Sequence, residues 1–449
     1  LRSTALLAPL IAVCFVTFGC SRTSQDPYSG VIREYVRLAA TLGERDSDSL
    51  DYYYGPAEWV SEARSHPEDL KQVGAALQRL RDSANVLPQS GRTEFLQKQI
   101  GALSARVQFI EHARRVSQSG GQPGSQNESA SEKQSAFDQE ARDFFGITVA
   151  PGQESDLEAA RASLSALLPG SGPLAARYAA FDRKFMVPPE KVPAVMQRAL
   201  EECRARTIQH VPLPAGEHVE LEYVGNRPWN AYSYYQGNSH SRILVNAALG
   251  MTLDRALQLA CHEGYPGHHA YNILQDQELV RKQGRQELFI QPTFSPQSLV
   301  SEAIATYAID LTFPAGEREA FEHDVLLPLS GIPIAGIGPA EIAKHVAAAR
   351  ALERLNPAQV AIARDYLDGR LEYVRAAQAL ADRAAMAEAD ATLRYLNEFR
   401  TYMLTYTTGA EMVKACFAKD HTAPWALYQR IATFQISLND CSQKVRQEE

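Results

Sequence analysis

The 449-residue chain lacks several features that would point to a function. Nowhere do lysine and arginine cluster as a nucleic-acid footprint requires. The formal net charge is −8, from 45 basic and 53 acidic residues. Nucleic acid is therefore not an expected partner, and a mildly acidic surface mainly favours solubility. Beyond the first 20 residues no stretch approaches the roughly 18 apolar residues of a membrane helix. None of the six cysteines forms a CxxC pair, which excludes a zinc knuckle or a dithiol redox motif. No repeat of solenoid period is evident. What is present, 45% hydrophobic and 22% charged residues, is ordinary globular composition. The length allows two or three domains, or one large unit with a sizeable core.

Residues 1–20 read LRSTALLAPLIAVCFVTFGC. Arg2 precedes an apolar run from Ala5 to Phe18, too short to span a bilayer comfortably and fitting a secretory signal. The ending Thr17-Phe18-Gly19-Cys20 resembles the bacterial lipobox, in which the cysteine becomes a lipidated N-terminus. Thr17 departs from the usual leucine. The expectation is a lipoprotein signal peptide over 1–19, lipidation of Cys20 and a tether over 20–30. That implies a protein of the bacterial cell envelope, held on the membrane by its N-terminal lipid and facing the periplasm. Ser21, where an aspartate would signal inner-membrane retention, points to the outer membrane. The plainer alternative is a cleaved signal with an incidental cysteine. Of the remaining cysteines, Cys416 and Cys441 are the best candidates for a disulfide, being near each other in the terminal region; Cys203 and Cys261 are left open.

Helical periodicity dominates the rest. Leu96, Ile100, Leu103, Val107 and Ile110 form one stripe on a helix. Residues 31–43, 67–84, 155–167, 172–186 and 189–209 read the same way. The polar stretch 120–136 reads as a flexible loop. At Glu217 the pattern changes to alternation: 217–224, 230–236 and 241–246 predict two or three strands, with Gly237-Asn238 as a turn. Helices resume at 253–263, 267–281, 297–311, 339–353, 357–366, 370–384 and 386–403. The predicted fold is mainly α, a large helical cleft-forming unit with a small β-sheet beside the unusual motif helix. The chain divides into an N-terminal helical region, 31–210, and a catalytic region, 211–449.

The unusual motif is Cys261-His262-Glu263-Gly264-Tyr265-Pro266-Gly267-His268-His269. In the HExxH form of zinc hydrolases, two histidines at i and i+4 share a helix face and the glutamate activates a zinc-bound water. Here position i+4 is Pro266, and histidines follow at i+6 and i+7. On a regular helix i+7 lies about 10.5 Å along the axis. Two imidazoles bound at roughly 2.1 Å to one metal cannot be that far apart. Proline and glycine supply the remedy, a break and restart near Pro266 that returns His268 or His269 to the metal. Which of the two binds stays open; the other would orient a ligand or touch substrate. A third ligand is offered by Glu302, 40 residues after His262, on a helix whose other inward positions are apolar. A carboxylate there is costly to bury unless paired or bound to a metal. Two histidines, one glutamate and an open position make a catalytic zinc arrangement, with one Zn2+ as cofactor.

HEGYPGHH followed by SEAIATYA resembles the bacterial DUF885 family, whose motifs run approximately HExxPGHH and EGWAxYAE. That family is similar to zinc metallopeptidases of the gluzincin type. His262, Glu263, Pro266, Gly267, His268, His269, Glu302 and Tyr307 match, while Ala303-Ile304 replaces Gly-Trp. Tyr406-Thr407-Thr408-Gly409 resembles a later Tyr-x-x-Gly signature, which implies Tyr406 as a phenol that stabilises an oxyanion. The resemblance also implies that a strand before the motif aligns an extended substrate, with Tyr232 and Tyr234 as candidate contacts. The resulting expectation is zinc-dependent hydrolysis of peptide bonds, with Glu263 as general base. Two rivals stand beside it: an envelope binding or scaffold lipoprotein that kept the fold, and a zinc hydrolase of another amide or ester, such as a cell-wall cross-link. His323, His345 and His421 are read as non-functional; His240 is read as a surface-loop histidine, with a reach into the cleft as the alternative, and Asp310 as a solvated or capping residue, with an orienting carboxylate as the alternative.

Overall fold

The computed structural model describes residues 26–118, 136–225, 227, 229–419 and 423–443. The leader, Cys20, the start of the tether, most of the predicted loop and His421 lie outside the described residues. Among the described residues the fold is mainly α-helical, with five short strands.

The N-terminal part packs helices Ser29–Arg45, Leu70–Asn85 and Gly91–Gln118 around one apolar cluster that includes Tyr35, Leu77, Leu96, Ile100 and Leu103. A capping box between Asp69 and Gln72 starts the second of these helices. Between the first two runs strand β1, Leu50–Tyr53. It pairs antiparallel with β5, Ile290–Pro292, from the far side of the chain. Ile290 accordingly joins the N-terminal cluster.

The larger cluster runs from Phe137 to Leu404, and helices Thr408–Phe417, Pro424–Ala432 and Leu438–Gln443 pack in a further one against Tyr271, Ala303 and Ile304. A three-stranded sheet lies against the larger cluster, with β2 (His218–Val224), β3 (Ala231–Gly237) and β4 (His240–Asn246) in the order β2-β4-β3. β3 and β4 form an antiparallel hairpin, whereas β2 runs parallel to β4. The hairpin turns through Asn238 and Ser239, both at positive φ. β3 is thus an edge strand.

Two helices carry the motifs. The first, Leu253–Glu263, begins on the Thr252 side chain, which accepts from the Arg255 N–H. Leu253, Ala256, Leu257, Ala260 and Cys261 repeat at helical spacing and are all buried. A disulfide joins Cys261 to Cys203 on helix Val192–Thr207, and a second joins Cys416 to Cys441. The other motif helix, Pro296–Thr312, is capped by Ser295 and carries Pro296 at its first position. It is buried on nearly every side, so its Glu302 is interior by position. Among the described residues, no helix is long and apolar enough to cross a membrane.

Candidate metal centre and cavity

The break after Glu263 is a compact loop. Helix Leu253–Glu263 stops, Gly264 to Gly267 cross over, and a new helix runs His268–Gln275. The Gly267 N–H donates to the Cys261 carbonyl at 3.0 Å, and the Pro266 carbonyl accepts from the Tyr428 hydroxyl at 2.6 Å. A Cβ on Gly267 would sit 1.8 Å from the His262 carbonyl oxygen, so only glycine allows the two helix ends to meet. Gly267→Ala is expected to cost about 3 kcal/mol or more, because backbone must move rather than a side chain. Urea unfolding of the variant measures this; a cost below 1 kcal/mol would show that the crossing is slack.

The crossing brings His262 and His268 together. Their rings lie 4.9 Å apart, nearly perpendicular. Glu302 meets them from the neighbouring helix: its Oε2 is 3.4 Å from His262 Nε2 and 3.5 Å from His268 Nε2. All three atoms lie within 4.8 Å of one another. Ligands bound at about 2.1 Å around a tetrahedral metal stand roughly 3.4 Å apart. The two distances from Glu302 are therefore already at ligand spacing. Glu302 Oε2 is buried and makes no hydrogen bond, so its only compensation comes from the two imidazoles at 3.4 and 3.5 Å, a place where a cation would be favoured.

Outer contacts fix these side chains. Glu302 Oε1 accepts from the Tyr402 hydroxyl at 2.9 Å. His268 Nδ1 lies 3.1 Å from Ser301 Oγ. In the tautomer that frees Nε2 for a metal, Nδ1–H donates to that serine. Electrostatics agree. Burial opposes charge on both partners, but the Glu302 carboxyl is held below the usual range by His268 and His262. The His268 imidazole, likewise opposed by burial, is raised to about 9 by Glu302. Each shift has the direction that favours positive charge beside Glu302. Tyr402→Phe should weaken zinc binding roughly 10- to 100-fold, the usual effect of losing such a partner. Competition against a chromophoric chelator would measure it, and unchanged affinity would reduce Tyr402 to packing.

His269 is turned elsewhere. Fully buried, it places Nδ1 2.8 Å from Ser241 Oγ and Nε2 2.8 Å from Glu217 Oε2. Burial keeps its imidazole below the ordinary pKa. Burial also opposes ionisation of Glu217, yet hydrogen bonds from His269, Tyr265 and Arg204 hold that carboxyl down at about 2. His268 is thus the second histidine that faces Glu302, and His269 belongs to the seam between β4 and the motif. The expectation that the histidine left over would orient a ligand or touch substrate does not hold for its position.

A cavity of about 400 Å³ opens over the centre. Its wall includes His262, Glu263, His268, Glu302, Tyr402 and Tyr406. Glu263 is 5% exposed, and burial raises its carboxyl pKa. The Tyr406 ring lies 6.2 Å from that of His262. Burial keeps its phenol protonated far above neutral pH, so it remains a donor. The opposite wall comes from β3, where Tyr232 and Tyr234 pack 4.5 Å apart, and from β1. Asp51 on β1 accepts from the Tyr232 hydroxyl and, at 2.6 Å, from Gln291 Nε2. Surrounded by protein, its carboxyl is pushed up to about 6, chiefly by burial.

In fold, the chain is similar to a candidate lipoprotein from Colwellia psychrerythraea, with a TM-score of 0.50 and 12% identity over 93% of this chain and 74% of that one. The likeness is one of fold. A candidate lipoprotein of unknown function from Shewanella oneidensis gives a TM-score of 0.46 and 11% identity, over 86% and 75% of the two chains. No family model matches the sequence, and no curated protein matches it either.

The other singled-out residues lie off the cavity. Tyr307 packs on Phe417, with ring centroids 4.4 Å apart. Asp310 pairs with Arg350 at 3.4 Å. His240 packs against His218, His323 pairs with Asp324, and His345 stacks on Phe185 and bonds Asp182. Three residues went unnoticed in the sequence: Ser301, Tyr402 and Asp51. Ser301 stands next to Glu302, and Tyr402 precedes Tyr406 by four residues, which are faint signals. Asp51 has none, because it sits in a four-residue strand far from either motif.

Proposed function

We propose that the chain is a zinc-dependent hydrolase of peptide bonds. The observation that carries the reading is Glu302 Oε2, buried without a hydrogen bond and facing two imidazole nitrogens at 3.4 and 3.5 Å, with Glu263 buried on the same cavity wall. Two histidines and one glutamate, with cavity space in front of them, suit a catalytic zinc ion. Bound there, zinc would polarise the scissile carbonyl and make the attacking water more acidic.

The chain's own groups do the rest. His262, His268 and Glu302 would hold the ion, and Ser301 and Tyr402 keep two of them aimed. Glu263 follows a ligand directly in sequence and is not one of the three converging groups, so its carboxylate is free to take the proton of the attacking water. It then returns that proton to the leaving amine. Tyr406 donates from its phenol to the carbonyl oxygen as negative charge develops there. Edge strand β3 offers unpaired backbone groups to an extended peptide, and Tyr232 and Tyr234 line the same wall. The likeness to the DUF885 motifs supports this reading and rests on the matching residues alone.

We also infer a lipid-anchored protein of the cell envelope. Thr17-Phe18-Gly19-Cys20 supports it, as does the description of the Colwellia protein as a candidate lipoprotein. The test of the activity is elemental analysis of the purified protein together with mass spectrometry of a peptide library incubated with it. One zinc per chain with cleaved peptides is the expected result. Zinc without cleavage of any peptide would favour the binding-module reading, and no metal would end both.

A further inference from the structure

A second pair of histidines lies apart from the candidate metal centre. β2 and β4 run parallel and in register, and His218 is paired with His240 across them. Side chains alternate along a strand, so residues paired across two strands project from the same face. Val219, Leu221, Ile243 and Val245 take the inner face and pack on the core. His218 and His240 therefore share the outer face. His218 is exposed and His240 half-buried. Both line an open groove of about 520 Å³ with Gly216, Gln236, Gly237 and Asn238. Neither lines the cavity over the candidate metal centre.

The geometry of the pair is that of a chelate. The two ring centroids are 4.9 Å apart, with the rings tilted by 47°. Two imidazoles bound at about 2.1 Å to one ion place their centroids roughly 4.5 to 5.5 Å apart. His262 and His268 stand at the same 4.9 Å. The nitrogens are also uncommitted. Apart from each other's ring, neither imidazole has a hydrogen-bond partner among the described residues. His269 makes the contrast, since both of its nitrogens are taken, by Ser241 and Glu217. The backbone ladder continues in register from His218 and His240 to Val224 and Asn246. The sheet, rather than an ion, thus sets the spacing of the two rings, and little freedom is left to lose on binding.

Imidazole nitrogen favours zinc, copper and nickel over magnesium and calcium, which take oxygen. We propose that His218 and His240 form a second metal site, which takes one divalent ion of the zinc and copper class with solvent completing its coordination. The ion clasps β2 to β4 at the end where the adjoining residues, Glu217 and Ser241, hold His269. This goes beyond the peptidase reading and does not depend on it.

The experiment is calorimetric titration of the chelator-stripped full chain with zinc chloride. Two binding events are expected, one for each pair of histidines. His218→Asn and His240→Asn should each weaken the same event by more than about 100-fold, because each removes one of only two protein ligands. His268→Ala should remove the other event and leave this one in place. His218 is exposed and makes no side-chain hydrogen bond, so its substitution decides the matter if His240→Asn does not fold. Magnesium chloride should give no event that His218→Asn removes. One event alone, abolished by His268→Ala and untouched by His218→Asn, overturns the proposal and keeps the candidate metal centre. One event alone, abolished by His218→Asn and untouched by His268→Ala, keeps the proposal and discards the centre. A second event that survives both asparagine variants, or no binding of zinc at all, overturns the proposal.

Discussion

Glu263→Gln is expected to retain one metal ion per chain and to lose peptide turnover by roughly 10²- to 10⁴-fold. Glutamine keeps the size and shape of the side chain, so the cavity wall is preserved. It removes only the capacity to accept and return a proton. Glu263 is not among the three groups whose ligand atoms converge, so the metal site should not register the change. The position explains why the effect is confined to rate. Glu263 ends the motif helix, immediately after His262, buried in the wall of the cavity. Burial raises its carboxyl above the usual glutamate value, the direction that makes a stronger base. Elemental analysis and a fluorogenic peptide assay on the same preparation separate the two effects. Turnover near that of the parent, with metal retained, would remove Glu263 from the reaction. Loss of metal along with turnover would assign it to holding the ion.

Much of this architecture is legible in the sequence because local rules decide it. The motif helix can be read as 253–263 from its periodicity, and the structure sets Leu253–Glu263. Pro266 and Gly267 announce a break, and the reason lies in the close passage of Gly267 over the His262 carbonyl. Glu302 stands out because a carboxylate among apolar neighbours requires a partner. The hairpin is legible from alternation, although its turn falls on Asn238 and Ser239, one residue beyond the expected Gly237-Asn238 pair. The path of β2, parallel to β4, is not, since alternation fixes a strand's faces and leaves its neighbour open. Asp51 shows the limit most clearly. Its strand pairs with β5, some 240 positions away, which supplies Gln291, and its other partner, Tyr232, comes from β3. Nothing local marks it. A boundary drawn near residue 210 would also leave out what the N-terminal part gives the cavity wall.

The two histidines in sequence pose the same difficulty on a smaller scale. Consecutive residues on a helix point about 100° apart, so only one of His268 and His269 can face Glu302. Which one depends on where the second helix starts and on distant partners. Ser301 holds His268, while Glu217 and Ser241 hold His269. Opposite outcomes are therefore expected from two equal truncations. His268→Ala should lower zinc affinity by more than about 100-fold, since it removes a ligand rather than an outer contact. Metal content after dialysis should then fall far below one per chain. His269→Ala should leave metal content unchanged and cost about 3 kcal/mol of stability. It opens a cavity in a fully buried site and strips one hydrogen bond from Glu217, whose side chain is 1% exposed. Arg204 still pairs with that carboxylate, which keeps the loss from being larger. Elemental analysis and urea unfolding, run on both variants, read the two effects independently. If His269→Ala emptied the site while His268→Ala kept its zinc, the ligand set would have to be redrawn. The cavity wall would then need a different explanation for the unpartnered oxygen of Glu302.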